Sequence, residues 1–176
     1  MNGRRHFVEQ SVRVHASPAI VWHEVTEVDL ESFRHPTYLS LLGIPKPVRA
    51  EILGADIGGI RIATFSNGMR FSQVITDWQP NERFAFTFRP DPGFRVAHCL
   101  DLSRGPFRMS SGAYRIRPEH GAVQLFLSSE YELRGVLGSL LAWPAKLVLL
   151  LFQAHLLHGI KRNAERREPS ARTRDS

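Results

Sequence analysis

The sequence predicts one α+β domain in which a curved antiparallel sheet of about six to seven strands surrounds a long C-terminal helix. Three observations carry this prediction. The middle of the chain contains successive short segments of alternating polarity, joined by turn residues. Residues 136–167 have one long helical pattern, with a bend or a helix start at Pro144 as the alternative. A length of 176 residues fits one domain. We expect residues 1–167 to form that domain and residues 168–176 to be a disordered basic tail.

The first strand and two short helices open the chain. Residues 8–14 alternate with a period of two, which indicates a half-buried strand. Ser17 is then a candidate helix cap, with Pro18 at the first helical position. We therefore expect one short helix at residues 18–28 and a second helical stretch at residues 30–42.

Six further strands follow, separated by turn signals. Gly58-Gly59 and Asn67-Gly68 mark two of the turns, and residues 90–105 have the irregular composition of a long loop. The phenylalanines of the fourth of these strands alternate, so they share one face. The predicted strands are residues 48–52, 60–66, 69–78, 83–89, 107–117 and 122–133.

Composition and charge narrow the functional classes. A hydrophobic fraction of 43% with 11 Phe supplies a sizeable core. The formal net charge of +6 is spread along the chain, and its one dense patch, residues 161–175, mixes cations with carboxylates. We therefore expect no nucleic-acid partner.

The cell compartment is inferred from cysteine use and from the N-terminus. The single cysteine, Cys99, excludes an internal disulfide, and no apolar leader follows Arg4 and Arg5. A cytoplasmic protein is the resulting expectation. The predominance of arginine over lysine hints at a bacterial genome rich in GC.

Three stretches of the chain resemble the SRPBCC superfamily, which includes START domains, birch-pollen-allergen-like proteins and polyketide cyclase/dehydrase-like proteins. They are residues 11–22 (SVRVHASPAIVW), 65–83 (beginning FSNGMRF) and 155–165 (HLLHGIKRNAE). The resemblance spans residues 6–167 and implies a helix-grip fold with a cavity between sheet and helix. It implies no single activity, because the superfamily includes transfer proteins, cyclases and pure binders.

Two histidines on the C-terminal helix are the first candidate site. His155 and His158 lie three residues apart, so they share a helix face, and we expect that face, with Leu151, to turn toward the sheet. There they could orient a ligand carbonyl or transfer a proton. The alternative is a structural role in hydrogen bonds to the backbone. A metal site is not predicted, because a third ligand is missing.

Inward polar groups on the strands are the second candidate set. Tyr131 and Ser129 share parity with the apolar face of the last strand, and Gln10 interrupts a valine-rich face. A buried tyrosine hydroxyl needs a partner, which for Tyr114 or Tyr131 is either a ligand or a backbone carbonyl.

The other residues whose side chains could take part in a reaction have simpler, non-catalytic interpretations. Asp77 and Glu130 are read as solvated strand charges without a carboxylate partner, and Cys99 lacks the environment of a nucleophile. Catalytic residues stay unassigned, and no cofactor is implied.

The long helix is apolar on nearly every side, which is more than one sheet requires. We expect Leu149, Leu150, Leu157 and Ile160, near Lys146 and Gln153, to face away from the sheet. The polar residues argue against a membrane span. A second copy of the chain or a peripheral membrane contact would then cover this face.

The sequence therefore predicts binding of a small hydrophobic molecule: a lipid, a polyketide-like compound or an isoprenoid. A cofactor-independent enzyme of the cyclase/dehydratase type is the alternative, and a membrane-surface protein that transfers or senses lipid is the second alternative. Whether the protein is an enzyme stays open.

Overall fold

The computed structural model describes residues 4–27, 36–41, 43–93, 95–96, 100–101 and 105–172. Cys99 lies outside these residues, as does most of the second helical stretch predicted at residues 30–42.

A seven-stranded antiparallel sheet forms the framework, as the sequence predicts. The strand order is β1-β9-β8-β5-β4-β3-β2, and a separate two-stranded ribbon, β6 with β7, lies in the predicted loop. The strands are β1 (Arg4–Val14), β2 (Pro47–Leu53), β3 (Ile60–Phe65), β4 (Arg70–Gln79), β5 (Arg83–Pro90), β6 (Arg95–Val96), β7 (Leu100–Asp101), β8 (Phe107–Glu119) and β9 (Ala122–Leu133).

Irregularities in register accompany the curvature of this sheet. The pairing of β4 with β5 shifts between Ile75 and Asp77, and that of β8 with β9 shifts between Met109 and Ser111. A bulge bends its strand and increases the local twist. The Asn67-Gly68 turn between β3 and β4 is confirmed, with Gly68 at a positive φ of 80° and its N–H donating to the Phe65 carbonyl.

Two short helices, α1 (Pro18–Thr26) and α2 (Thr37–Leu41), connect β1 with β2 at the two edges of the sheet. Pro18 occupies the first turn of α1 as predicted, but the Ser17 side chain makes no capping hydrogen bond. The Ser17 backbone N–H instead donates to Glu168 Oε2 at 2.9 Å, so a distant carboxylate anchors this helix start.

The predicted long helix is two helices, α3 (Gly135–Leu140) and α4 (Ala142–Arg172), interrupted at Leu141. Pro144 lies in the first turn of α4, where its missing N–H needs no intrahelical partner. Helix α4 continues five residues past the predicted domain end, so residues 168–172 are helical.

The predicted orientation of α4 is wrong. Leu149, Gln153, Leu157 and Ile160 are all buried, so they form the face toward the sheet and not the face away from it. Gln153 misled the prediction because a polar residue was taken as a marker of solvent. Its amide N–H donates inside the protein, to Ser129 Oγ.

Two apolar clusters result from this packing. The larger one joins α1 and the C-terminal half of α4 to the strands around Val14, Phe84 and Leu125. The smaller one gathers the opposite strand ends, around Phe71, Phe107 and Tyr131, under the beginning of α4. A cavity lies between the sheet and the N-terminal half of α4.

Candidate ligand-binding cavity

The cavity has a volume of about 280 Å³ and a wall that is mostly apolar. Helix α4 contributes one side, from Pro144 to Ile160, and the sheet contributes the other. Ile44, Pro45 and Pro47, which lie before and at the start of β2, also line it, as do Leu141, Pro144 and Ala145 around the start of α4. Aromatic rings dominate the sheet side: Phe65, Phe71, Phe86, Phe88 and Phe107.

One glycine leaves space for these rings. Gly112 of β8 lies against β5, and a Cβ built on it would be 2.8 Å from Phe86 Cε2 and 3.3 Å from Phe88 Cε2. Any larger residue at this position would therefore displace rings that line the cavity. The predicted common face of the β5 phenylalanines is confirmed, since Phe84, Phe86 and Phe88 pack in one cluster.

A buried arginine is the most unusual feature of the wall. Arg61 of β3 lines the cavity and is 5% exposed, and its side-chain Nε has no hydrogen-bond partner in the described part of the chain. Its guanidinium carbon lies 5.6 Å from the centroid of the Phe84 ring. Among the described residues, Arg61 forms no salt bridge.

Burial lowers the pKa of Arg61, and the nearby Tyr114 counteracts part of that effect. Burial likewise raises the pKa of Tyr114, against the influence of the Arg61 charge. Arginine stays protonated in proteins, so the cavity holds a positive charge beside a neutral phenol.

Two glutamines add unused acceptors to the same cavity. Gln73 is the cross-strand partner of Arg61, so both side chains lie on one face of the sheet, and Gln73 Oε1 is buried without a partner. Gln153 of α4 donates its amide N–H to Ser129 Oγ at 2.9 Å, and its Oε1 is also unpaired. The residues of the wall therefore include one cation and two amides, each with a buried Nε or Oε1 atom that has no hydrogen-bond partner among the described residues.

Of the six residues predicted to contact a ligand, Tyr114 lies on the cavity wall. The described wall does not include Gln10, Tyr131, Leu151, His155 or His158.

Two of these residues have other contacts that explain their conformation. Gln10 donates its amide N–H to the Leu150 carbonyl at 2.8 Å, so it anchors α4 to β1. Tyr131 is buried between two aromatic neighbours, with ring centroids 5.1 Å from His6 and 5.2 Å from Phe107.

The two histidines lie on the outer flank of α4. His158 is exposed, and its Nδ1 is 2.7 Å from the Ala154 carbonyl, which requires that Nδ1 carry the proton. His155 is half-buried. The inward orientation predicted for this pair followed from the wrong helix orientation. Within the described chain, no group of three or more His, Cys, Asp and Glu side chains could hold a metal ion.

Sequence reasoning missed Arg61, Gln73 and Gln153. A signal for Arg61 was present in β3, because Arg61 has the same parity as Ala63 and Phe65. Each face of that strand carries apolar residues and one polar residue, Arg61 on one face and Thr64 on the other. The sequence alone therefore does not show which face is buried.

Comparison with solved structures identifies proteins of similar fold. The chain is similar to the Zhui aromatase/cyclase from Streptomyces sp. R1128, with a TM-score of 0.62 and 18% identity over 93% of this chain and 96% of that one. It is also similar to norcoclaurine synthase from Thalictrum flavum, with a TM-score of 0.56 and 13% identity over 92% and 94% of the two chains. A third similar structure is the di-domain ARO/CYC BexL from the BE-7585A biosynthetic pathway (TM-score 0.58, 14% identity), where 92% of this chain covers 50% of that one.

The chain has the helix-grip fold, so the predicted resemblance to the SRPBCC superfamily is confirmed at the level of the fold. No protein-family model and no curated protein sequence matches the chain.

Proposed function

We propose that the protein binds a small hydrophobic molecule carrying oxygen groups, with Arg61 holding an electron-rich oxygen of the ligand. The observation that carries this proposal is the buried Arg61 side chain on the cavity wall, which has no salt bridge and no hydrogen-bond partner for its Nε among the described residues. Burying a charge without a partner costs several kcal/mol by order of magnitude, so such a group is rarely retained for stability. Perturbed ionisable groups in clefts are instead typical of functional sites.

The size and lining of the cavity restrict the ligand. A volume of about 280 Å³ is at the lower end of ligand pockets, which suits a compact ring system better than a long acyl chain. Phenylalanine rings on the sheet side favour a flat aromatic ligand, because offset and edge-to-face ring contacts add to area burial. Among the compounds that the sequence suggests, an aromatic or polyketide-like molecule therefore fits best.

The polar groups specify where the oxygens of such a ligand would lie. A ligand that reaches these side chains would meet a donor on Arg61 and an acceptor on the Gln73 amide, on neighbouring strands. The pair is therefore complementary to an acceptor beside a donor, such as a carbonyl next to a hydroxyl. Gln153 Oε1 on the helix side would accept from a second hydroxyl group. The ligand proposed here is thus hydrophobic in its body and oxygenated at its edges.

A binding series with naphthalene probes tests this proposal. Isothermal titration would compare 2-naphthoate, 2-naphthol and 2-methylnaphthalene on the native protein, on Arg61→Met and on the matched surface variant Arg83→Met. Because a charged hydrogen bond contributes about 1.5–3 kcal/mol, Arg61→Met should weaken naphthoate binding by roughly tenfold or more. Methylnaphthalene affinity should change little. Equal weakening of all three probes, or no binding of any, would contradict the proposal.

A cofactor-independent cyclase or dehydratase is the second candidate, favoured by the closeness of Arg61 to Tyr114 and by the names of two similar structures. Water would remove the α-proton, and the Arg61 cation would stabilise the resulting enolate oxygen. The Tyr114 phenol, kept protonated by its raised pKa, would donate its proton to the alkoxide formed when the enolate attacks a carbonyl, and would regain a proton from the solvent. The described cavity wall, however, includes no carboxylate or imidazole to act as a base. Binding is therefore our first choice.

Enolisation of 2-acetonaphthone separates the two candidates. The exchange of its methyl protons for deuterium is followed by NMR in D₂O with and without protein. A pure binder leaves the rate unchanged. Acceleration by the native protein that is lost in Arg61→Met and reduced in Tyr114→Phe would establish the enzymatic candidate instead.

A further inference from the structure

The segment that covers the cavity has apolar surface on its outer side as well. Val136, Leu140 and Trp143 are 79%, 72% and 76% exposed, and Leu147 is 43% exposed. Val136 and Leu140 are four residues apart on α3, and Trp143 and Leu147 are four apart on α4, so each pair lies on one side of its own helix. We call these four residues the apolar patch. No helix in the described part of the chain is both long and apolar enough to cross a membrane.

The apolar patch is continuous with the cavity. Leu141, Pro144, Ala145 and Val148 alternate with the patch residues in the chain, and they line the cavity. Residues 136–148, in α3 and at the start of α4, therefore present apolar side chains both to the cavity and to the outside. A molecule entering the cavity past residues 141–148 would pass next to the patch.

The strand ends next to the patch are basic. Arg5 and Arg108 both lie opposite Glu132 in the sheet, and Arg4 lies opposite Leu133, directly before α3. Arg134 precedes α3 as well, and its N–H donates to the Pro106 carbonyl. The Glu132 carboxylate forms ion pairs with both Arg5, at an N–O distance of 3.6 Å, and Arg134, at 3.0 Å. One carboxylate thus faces several arginines, and these strand ends carry a net positive charge.

We infer that this patch docks the protein on an anionic lipid surface. Apolar helix faces that carry a tryptophan and are flanked by cations bind at the membrane interface, through area burial and attraction to acidic headgroups. A two-fold dimer through the patch is disfavoured, because it would bring two copies of the same basic rim together. Docking does not depend on the ligand proposed for the cavity.

Vesicle flotation tests the inference with charge held constant. The native protein should float with vesicles of phosphatidylcholine containing phosphatidylglycerol, and the double variant Leu140→Ser/Trp143→Ser should bind them about tenfold or more weakly. The matched control is Leu53→Ser/Ile57→Ser, which alters two side chains that are 57% and 66% exposed. Leu53 lies at the end of the β2–β3 pair opposite to the cavity-lining Pro47 and Phe65. The control should bind like the native protein.

Trp143 provides a direct readout, since Trp22 and Trp78 pack against each other with ring centroids 4.9 Å apart. Brominated lipids should quench the fluorescence of the native protein and have little effect on Trp143→Phe.

Equal flotation of the patch and control variants would overturn the inference, because the net charge alone would then explain binding. Light scattering that shows a dimer lost in the patch variant would overturn it in favour of a second copy. Arg61→Met should float normally, which keeps this result separate from the proposed ligand.

Discussion

The two halves of α4 differ in how they are held. Beyond residue 153 the helix is packed and tied: Leu157 and Ala164 are 1% and 0% exposed, and Lys161 Nζ donates to the Arg13 carbonyl at 2.6 Å. The N-terminal half covers a cavity on one side and exposes Trp143 and Leu147 on the other. The difference teaches that one end of this helix stabilises the fold, while the other end is available for ligands and partners.

Polar contacts follow the same division. Glu165 and Glu168 accept backbone N–H groups of His15 and Ser17, and Arg167 pairs with the buried Glu24 at 2.7 Å. In the N-terminal half, the anchors are the Gln10 bond to the Leu150 carbonyl and the Gln153 bond to Ser129. Four charged residues near the C-terminus, Lys161, Glu165, Arg167 and Glu168, are thus engaged in contacts within the domain.

A matched pair of leucine substitutions gives the largest expected contrast. Leu157→Ala should lower the free energy of unfolding by about 2–5 kcal/mol, because it opens a void in the packed half. Leu147→Ala should change it by only about 0.5 kcal/mol, since that side chain is partly in solvent. Urea unfolding measures both values. Equal losses would show that the two halves do not differ in packing.

The ion pair between α1 and α4 gives the second contrast. Arg167→Met should destabilise the protein by about 1–3 kcal/mol, because Glu24, at 1% exposure, loses its counter-ion. The value is kept below that of a fully buried pair because the Arg167 side chain is 48% exposed. Arg83→Met, which breaks the exposed pair with Asp77, is the control and should cost less. A larger loss in the control would contradict the importance of the α1–α4 contact.

A glycine substitution tests the cavity with a smaller effect on stability. Gly112→Ala should push the Phe86 ring into the cavity, at an expected cost of about 1 kcal/mol, because the empty space can accept it. The same change should weaken binding of 2-naphthoate and 2-methylnaphthalene alike, in contrast to Arg61→Met. Titration of both probes checks this, and unchanged affinity would show that the rings do not shape the binding space.

The fold was predictable because its signals are local. The alternation of polar and apolar residues predicted β1, and the Asn67-Gly68 dipeptide predicted the turn between β3 and β4. Both signals depend only on residues that are close together in the sequence. The resemblance of three stretches to a known superfamily then supplied the placement of the helix on the sheet.

The site was less predictable because it depends on tertiary burial. A helix that is apolar nearly all round gives no clear direction, so Gln153 was assigned to solvent. Arg61 is a single cation in a strand, which usually means an exposed side chain. Tyr114, which the sequence suggested as an inward polar group because a buried hydroxyl needs a partner, does line the cavity, and its ligand contact stays a prediction.

The stability of Arg61→Met without any ligand tests the central claim most directly. If Arg61 is kept for ligand recognition, replacing an unpaired buried cation with an apolar side chain of similar length should raise the free energy of unfolding by about 1 kcal/mol or more. For a chain of this length, each 1 kcal/mol corresponds to roughly 2–4 °C in Tm. A clear loss of stability in Arg61→Met would contradict the account, because Arg61 would then be a structural residue.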